Sequence, residues 1–193
     1  MAWSGHYVEE IDLRRQGRNR VMAPFFQDDL EVLNYALTLE HLEAAFYDEV
    51  NASGLLTGDA IPYFQIIGEH ERAHVEALTA AIAGAGGTPV GPREYYNFSV
   101  LGDLSTEEGI LEVAQILEST GVAAYNGAGP EITDKSILST AGAIVQVEAN
   151  HAAIVRILIN PDVQPAPQFE AVTDPQTILD TVAPILGPEQ TEE

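Results

Sequence analysis

Four stretches of the chain carry apolar residues at alternating steps of three and four, the spacing that lays one stripe along an α-helix. In the first, Leu30, Leu33, Leu37, Ala44 and Tyr47 share a face with Glu40. The second opens near Pro62, a residue tolerated in a first turn, and its stripe reads Phe64, Ile67, Glu71, His74, Leu78 and Ile82. The third reads Leu111, Ala114, Glu118, Gly121 and Tyr125, and the fourth Ile137, Ala141, Ile144, Glu148, His151, Val155 and Leu158. The punctuation agrees with the stripes. Asp28 and Asp29 stand where carboxylates favour a helix N-terminus, and Gly54 and Gly58 mark a turn. Gly84, Gly86 and Gly87 end the second helix, and Ser105 followed by Glu108 predicts a capping box at the start of the third. Gly127, Gly129 and Pro130 close the third, and the fourth runs from about Asp134 and stops before Pro161.

The stretch from Thr88 to Leu104 holds two prolines with Tyr95, Tyr96 and Phe98, and has no helical period. Its length suits a crossover that runs along a bundle between the second and third helices. The predicted fold is therefore all-α: an N-terminal arm over 1–27, a four-helix bundle over 28–160 and a tail over 161–193. Within the tail, Thr173, Asp174 and Pro175 open a short helix over 175–186, expected on the outside of the bundle. At 193 residues the chain is long enough to bury a sizeable core as one domain.

Polar residues interrupt the apolar stripes at matching places. A glutamate precedes a histidine by three residues twice, as Glu71 with His74 and as Glu148 with His151. Upstream of each pair a glutamate is followed seven residues later by a tyrosine, Glu40 with Tyr47 and Glu118 with Tyr125. The step from Glu40 to Glu118 and that from Glu71 to Glu148 differ by a single residue, so the chain reads as two helical hairpins related by an approximate two-fold axis. Positions i and i+3 of a helix point the same way, so each Glu/His pair can reach one point. Four glutamates and two histidines so placed are the side-chain set with which a four-helix bundle holds two metal ions. A carboxylate can bridge two ions, and one neutral imidazole per ion leaves positions open for O2 or peroxide. Oxygen and nitrogen donors without sulfur suit iron or manganese, though affinity alone would let copper or zinc compete.

Energetics point the same way. Four glutamates on inner stripes would repel one another and lose their hydration, and two divalent cations would balance them. Tyr47 and Tyr125 are placed to hydrogen-bond the ligands of the opposite hairpin and to supply an electron or proton. Glu43, one turn from Glu40, could add a ligand but is read as a charge at the bundle seam, and His70, four residues before His74, as a solvated neighbour of the site. His6 and His41 read as surface residues, and Glu69 and Glu76 as part of the wet face.

Composition narrows the function classes. A net charge of -22, from 30 acidic against 8 basic residues, repels nucleic acid and anionic lipid. With Lys135 the only lysine, the surface looks like that of proteins from extreme halophiles. The apolar fraction of 46% is too high for a disordered chain. The absence of cysteine excludes disulfides, thiolate metal sites and thiol nucleophiles. No run of about twenty apolar residues predicts a membrane span. Val21 to Phe26, after Arg14, Arg15, Arg18 and Arg20, is too short for the core of a signal peptide. The expectation is a cytoplasmic protein, or an exported one whose signal has been removed.

Five segments carry a resemblance to a known family: NYALTLEHLEAAFY (34–47), GEHERAHVEAL (68–78), GGTPV (86–90), GVAAYNGAGPEITD (121–134) and VEANHAAIVRIL (147–158). The chain resembles the ferritin-like superfamily, and within it the small ferritin-like domain family of desiccation- or stress-associated proteins, over residues 28–186. The resemblance implies a di-iron or iron/manganese centre of two ions held by Glu40, Glu71, His74, Glu118, Glu148 and His151. The implied partners are Fe(II) and O2 or peroxide, and a homo-oligomer is compatible with it. No cysteine pair of the rubredoxin type is present, so a rubrerythrin with its own electron-transfer domain is excluded. Two alternatives stay open: a stress or structural protein whose metal only ties the helices together, and a dimanganese catalase, a family that is longer and in part differently ligated.

Overall fold

In a computed structural model, which describes residues 24–162 and 166–187, the chain is helical throughout its regular structure, with no strand among the described residues. Five α-helices follow in order: α1 Asp29–Ala52, α2 Ala60–Gly84, α3 Glu107–Ala128, α4 Lys135–Ile159 and α5 Pro175–Leu186. His6, the four N-terminal arginines and all but the last four residues of the expected 1–27 arm lie outside the described residues.

Most helix starts are fixed by side chains that take up free backbone N–H groups. Asp28 accepts from the Glu31 amide, Asp134 from those of Ser136 and Ile137, and Asp174 from that of Thr177. Two starts differ from the sequence expectation. The cap of α3 is Thr106, which accepts from Gly109, while the Ser105 amide donates to Asp103. Helix α2 begins at Ala60, so Pro62 falls at its third position, where no intrahelical N–H bond is lost.

Helices α1 and α2 pack as one hairpin and α3 and α4 as the other. Hydrogen bonds set their directions. Asp29 at the start of α1 accepts from the backbone of Thr133 and Asp134 at the start of α4, at 2.8 and 2.7 Å, so these two helices run parallel. Thr57, just before α2, donates to Glu107 at the start of α3, so α2 and α3 also run parallel. The connection over 85–106 must then cross the length of the bundle. It lies along α1: Val90 donates to Asn34, His41 contacts the Val90 carbonyl, and Phe98 packs edge-on against Phe46.

Apolar burial falls into two clusters. The larger runs along the bundle, from Phe26, Val32 and Tyr35 at one end to Phe46, Phe64, Ile110 and Val155 at the other, and the smaller holds Leu33, Leu37, Leu78, Ile82 and Ile144. The glutamates and histidines of the four stripes meet in the middle of the bundle. Helix α5 sits against α3 and contributes Ile178, Val182 and Ile185 to the larger cluster, so it completes one end of the core as well as covering it. Ile137 and Leu158, expected inside, are only half-buried at the two ends of α4.

Helix α4 is long and apolar enough to cross a membrane by length and composition alone. In the fold its inward stripe carries Glu148 and His151 into the bundle.

Candidate metal centre

Each helix of the bundle brings a carboxylate to the middle layer. Glu40 comes from α1, Glu71 from α2, Glu118 from α3 and Glu148 from α4, and all four are fully buried. One turn on from Glu71 and Glu148, His74 and His151 turn their rings into the same layer, as the i, i+3 geometry requires. The Nδ1 of His74 lies 3.0 Å from Glu148 Oε1, 3.1 Å from Glu40 Oε2 and 3.2 Å from Glu71 Oε2. The Nδ1 of His151 lies 2.8 Å from Glu71 Oε1, 3.4 Å from Glu118 Oε2 and 3.9 Å from Glu148 Oε2.

These distances define two groups, Glu40, Glu71, His74 and Glu148, and Glu71, Glu118, Glu148 and His151. Within each, one donor atom per residue lies within 4.8 Å of all the others. Glu71 and Glu148 belong to both and give one oxygen to each histidine, the disposition of bridging carboxylates. Glu40 and Glu118 each belong to one, as terminal donors.

Several of these buried atoms have no hydrogen-bond partner: both oxygens of Glu148, Oε1 of Glu71, Oε2 of Glu118 and Nδ1 of His151. The 2.8 Å approach of Glu71 to His151 lacks hydrogen-bond geometry, so it leaves both atoms unsatisfied. An unmet buried polar atom costs about 1–3 kcal/mol, and more when charged. Five such atoms converging on one layer match the donor set of a dinuclear site, and two divalent cations would satisfy them.

Without cations the layer balances its charge with protons. Burial, reinforced by Glu148, pushes the Glu40 carboxyl well above the usual range, and burial with Glu71 pushes up Glu148. Burial raises Glu118 to about 8 against the pull of His151. Glu71 goes the other way, to about 2, because the imidazoles of His151 and His74 close to its two oxygens overcome its burial. The imidazoles take the protons: despite burial, Glu148, Glu40 and Glu71 raise His74 to about 12, and Glu118 and Glu71 raise His151 to about 10. Cations binding at Nδ1 would have to displace these protons.

The two tyrosines cross between hairpins. Tyr47 of α1 donates to Glu118 Oε1, and Tyr125 of α3 donates to Glu40 Oε1. Burial, then the partner carboxylate, pushes both phenols up, so they remain donors. Each fixes the outer oxygen of a terminal carboxylate and leaves the inner one turned to a histidine, Glu40 Oε2 to His74 and Glu118 Oε2 to His151.

Glu43 departs from the sequence reading, and His70 makes a contact that the reading did not include. Glu43, expected as a seam charge, is buried at 2% exposure and has no hydrogen bond among the described residues. Burial raises its carboxyl, followed by the charges of Glu148, Glu118, Glu71 and Glu40. Its i+3 spacing from Glu40 was the signal available in the sequence. His70 is solvated as expected, yet its Nδ1 lies 2.9 Å from Nε2 of His151, with the two rings stacked at 5.2 Å. That contact crosses to α4, so the spacing along α2 gave no sign of it. Glu69 and Glu76 are exposed, and His41 is half-buried against the Val90 carbonyl.

The sequence pattern of the ferritin-like domain family matches residues 28–161, more than half of the chain and all four helices of the layer. The chain belongs to the ferritin-like domain family. Solved structures share this ferritin-like fold at low sequence identity. A conserved hypothetical protein from Mycobacterium tuberculosis is 16% identical, with a TM-score of 0.61 over 66% of this chain and 94% of its own. Ferritin-like, diiron-carboxylate proteins from Bacillus anthracis str. Ames are 21% identical, at 0.56 over 68% and 94%. A hypothetical protein from Methanococcus jannaschii DSM 2661 is 14% identical, at 0.59 over 83% and 94%. None of the curated proteins matches the chain.

Proposed function

We propose that this ferritin-like chain holds two iron ions, or iron with manganese, and oxidises Fe(II) or consumes O2 or peroxide in stress protection. The observation that carries the reading is the set of five buried, unpartnered donor atoms on Glu71, Glu118, Glu148 and His151. Glu71 and Glu148 would bridge the ions, with Glu40 and His74 completing one position and Glu118 and His151 the other. Two such ions, if reduced, would together supply two electrons to an oxidant.

The protein's own part is preorganisation. The two apolar clusters keep bulk water from the layer, and the tyrosines hold the terminal carboxylates in place. Tyr47 and Tyr125 also carry the phenolic protons nearest the layer, available to a reduced oxygen species. The similarity to the Bacillus anthracis ferritin-like, diiron-carboxylate proteins agrees with this reading, as does a donor set of oxygen and nitrogen alone.

A second reading, metal as a tie between the helices without turnover, is favoured by one observation: every helix of the bundle contributes a ligand to one layer. The two are separated by elemental analysis of the native protein followed by stopped-flow mixing with peroxide. Two ions per chain, with multiple turnovers of Fe(II) oxidation, supports the first. Two ions that only raise the melting temperature supports the second, and peroxide disproportionation without Fe(II) points to a catalase.

A further inference from the structure

The internal repeat makes the two halves of the layer comparable residue by residue, and it breaks at two places. Glu43 stands three residues after Glu40, and the matching position after Glu118 is Gly121. His70 stands one residue before Glu71, and the matching position before Glu148 is Val147. The first hairpin thus carries a fifth carboxylate and an extra imidazole that the second lacks.

Both additions act on the same side of the layer. A Cβ built on Gly121 would lie 3.0 Å from Glu43 Oε1 and 3.4 Å from Glu148 Oε2. The missing side chain on α3 is therefore what admits the Glu43 carboxylate to the layer. The Glu148 oxygen beside that same point, Oε2, is the one turned toward His151, while Oε1 faces His74. His70 touches His151 directly, through Nε2. If His151 presents Nδ1 to a cation, its remaining proton sits on Nε2 and donates to His70 Nδ1. That bond fixes the tautomer and ring orientation of a ligand and raises its basicity. Nε2 of His74 has no such partner among the described residues.

We infer that the two metal positions are unequal. The position of Glu118 and His151 binds more tightly and fills first, with Glu43 as its additional carboxylate and His70 as the positioning residue for His151. The inference rests on the dinuclear reading above and goes beyond it by ordering the two ions and assigning the order to two residues outside the six.

Anomalous diffraction from crystals of the full chain given one equivalent of Mn(II) tests it. The expected map has one strong peak beside His151 and a weak one beside His74. Equal peaks, or a stronger peak beside His74, would overturn the ordering while leaving the dinuclear site intact. No peak in the layer, even with excess Mn(II), would overturn the dinuclear reading itself. His70→Ala and Glu43→Gln assign the cause. Loss of an outer partner of a ligand typically costs about 10–100-fold in metal affinity, so each variant should bring the two occupancies toward equality. A variant that lowers both occupancies together, or leaves their ratio unchanged, would show that its residue has only a structural role and would overturn its assignment.

Discussion

The hydroxyl of Tyr47 on α1 donates to Glu118 on α3, and the reciprocal bond runs from Tyr125 on α3 to Glu40 on α1. Each hairpin therefore sets the terminal carboxylate of the other, and the layer is complete only when the hairpins meet. Tyr47→Phe keeps the ring packing against Phe46 and Phe64 and removes the donor. The orphaned oxygen should cost about 1–3 kcal/mol, and the loosened ligand about 10–100-fold in metal affinity. Calorimetry of the metal-free variant and a Mn(II) titration measure the two effects. If neither changes, the cross-hairpin bond contributes nothing.

The stability of the metal-free protein should fall as pH rises from 6 to 9. The raised Glu118 carboxyl contributes stability that is fully present below the unfolded value near 4.5 and is lost as pH passes its folded value of about 8. Glu40 and Glu148, also raised, act with the same sign. The raised histidines do too: their contribution is complete below 6.5 and is lost as pH rises through about 10 for His151 and about 12 for His74. Glu71, depressed to about 2, loses its contribution only in strong acid and so does not alter this window. Melting temperatures of chelated protein in molar salt check the slope. A rising profile would mean that the carboxylates are solvated when metal is absent.

The buried glutamate and histidine layer was legible because the helical period fixes what i, i+3 and i+7 residues share, and because the pattern recurs. Glu71 with His74, and Glu40 with Tyr47, needed no knowledge of how the helices pack. What was not legible depends on a neighbour far along the chain. Glu43 is admitted to the layer by the absence of a side chain at Gly121, on the other hairpin. His70 lies on α2 but meets His151 on α4. Gly127, expected only to close a helix, is where the chain at Thr173 crosses α3: a Cβ there would lie 1.7 Å from the Thr173 carbonyl oxygen. The choice of Thr106 over Ser105 as cap turned on Asp103, which takes the Ser105 amide.

That crossing gives a prediction of its own. Gly127→Ala must displace the segment that leads into α5, whose Ile178, Val182 and Ile185 belong to the larger apolar cluster. Overpacking of this kind costs about 1–3 kcal/mol. The melting temperature should fall, and amide exchange should quicken in α5 before it does in α2. Unchanged exchange in α5 would show that the tail docks independently of Gly127.

The surface gives a salt prediction. The net charge of -22 implies strong mutual repulsion among carboxylates, and salt screens exposed charges beyond a Debye length of about 10 Å at 0.1 M. The melting temperature should climb between low salt and molar KCl. A flat or falling dependence would count against a halophile-type surface.

Metal and stability are joined through the buried carboxylates. In the metal-free protein Glu40 and Glu118 are held above the usual carboxylate range by burial, which marks their charged forms as unfavourable there. Replacing both with glutamine removes that penalty and keeps acceptors for Tyr125 and Tyr47. The metal-free double variant should therefore melt higher than the metal-free wild type. It also lacks one terminal ligand at each position, so added Fe(II) or Mn(II) should help it little. The wild type should gain more, since a ligand that binds only the folded state at a hundredfold excess over Kd stabilises it by about 2.7 kcal/mol. Calorimetry on both proteins, with and without metal at the same high salt, separates the cases. Equal stabilisation of the two would mean that the cations bind the acidic surface, and the central layer would not be their site.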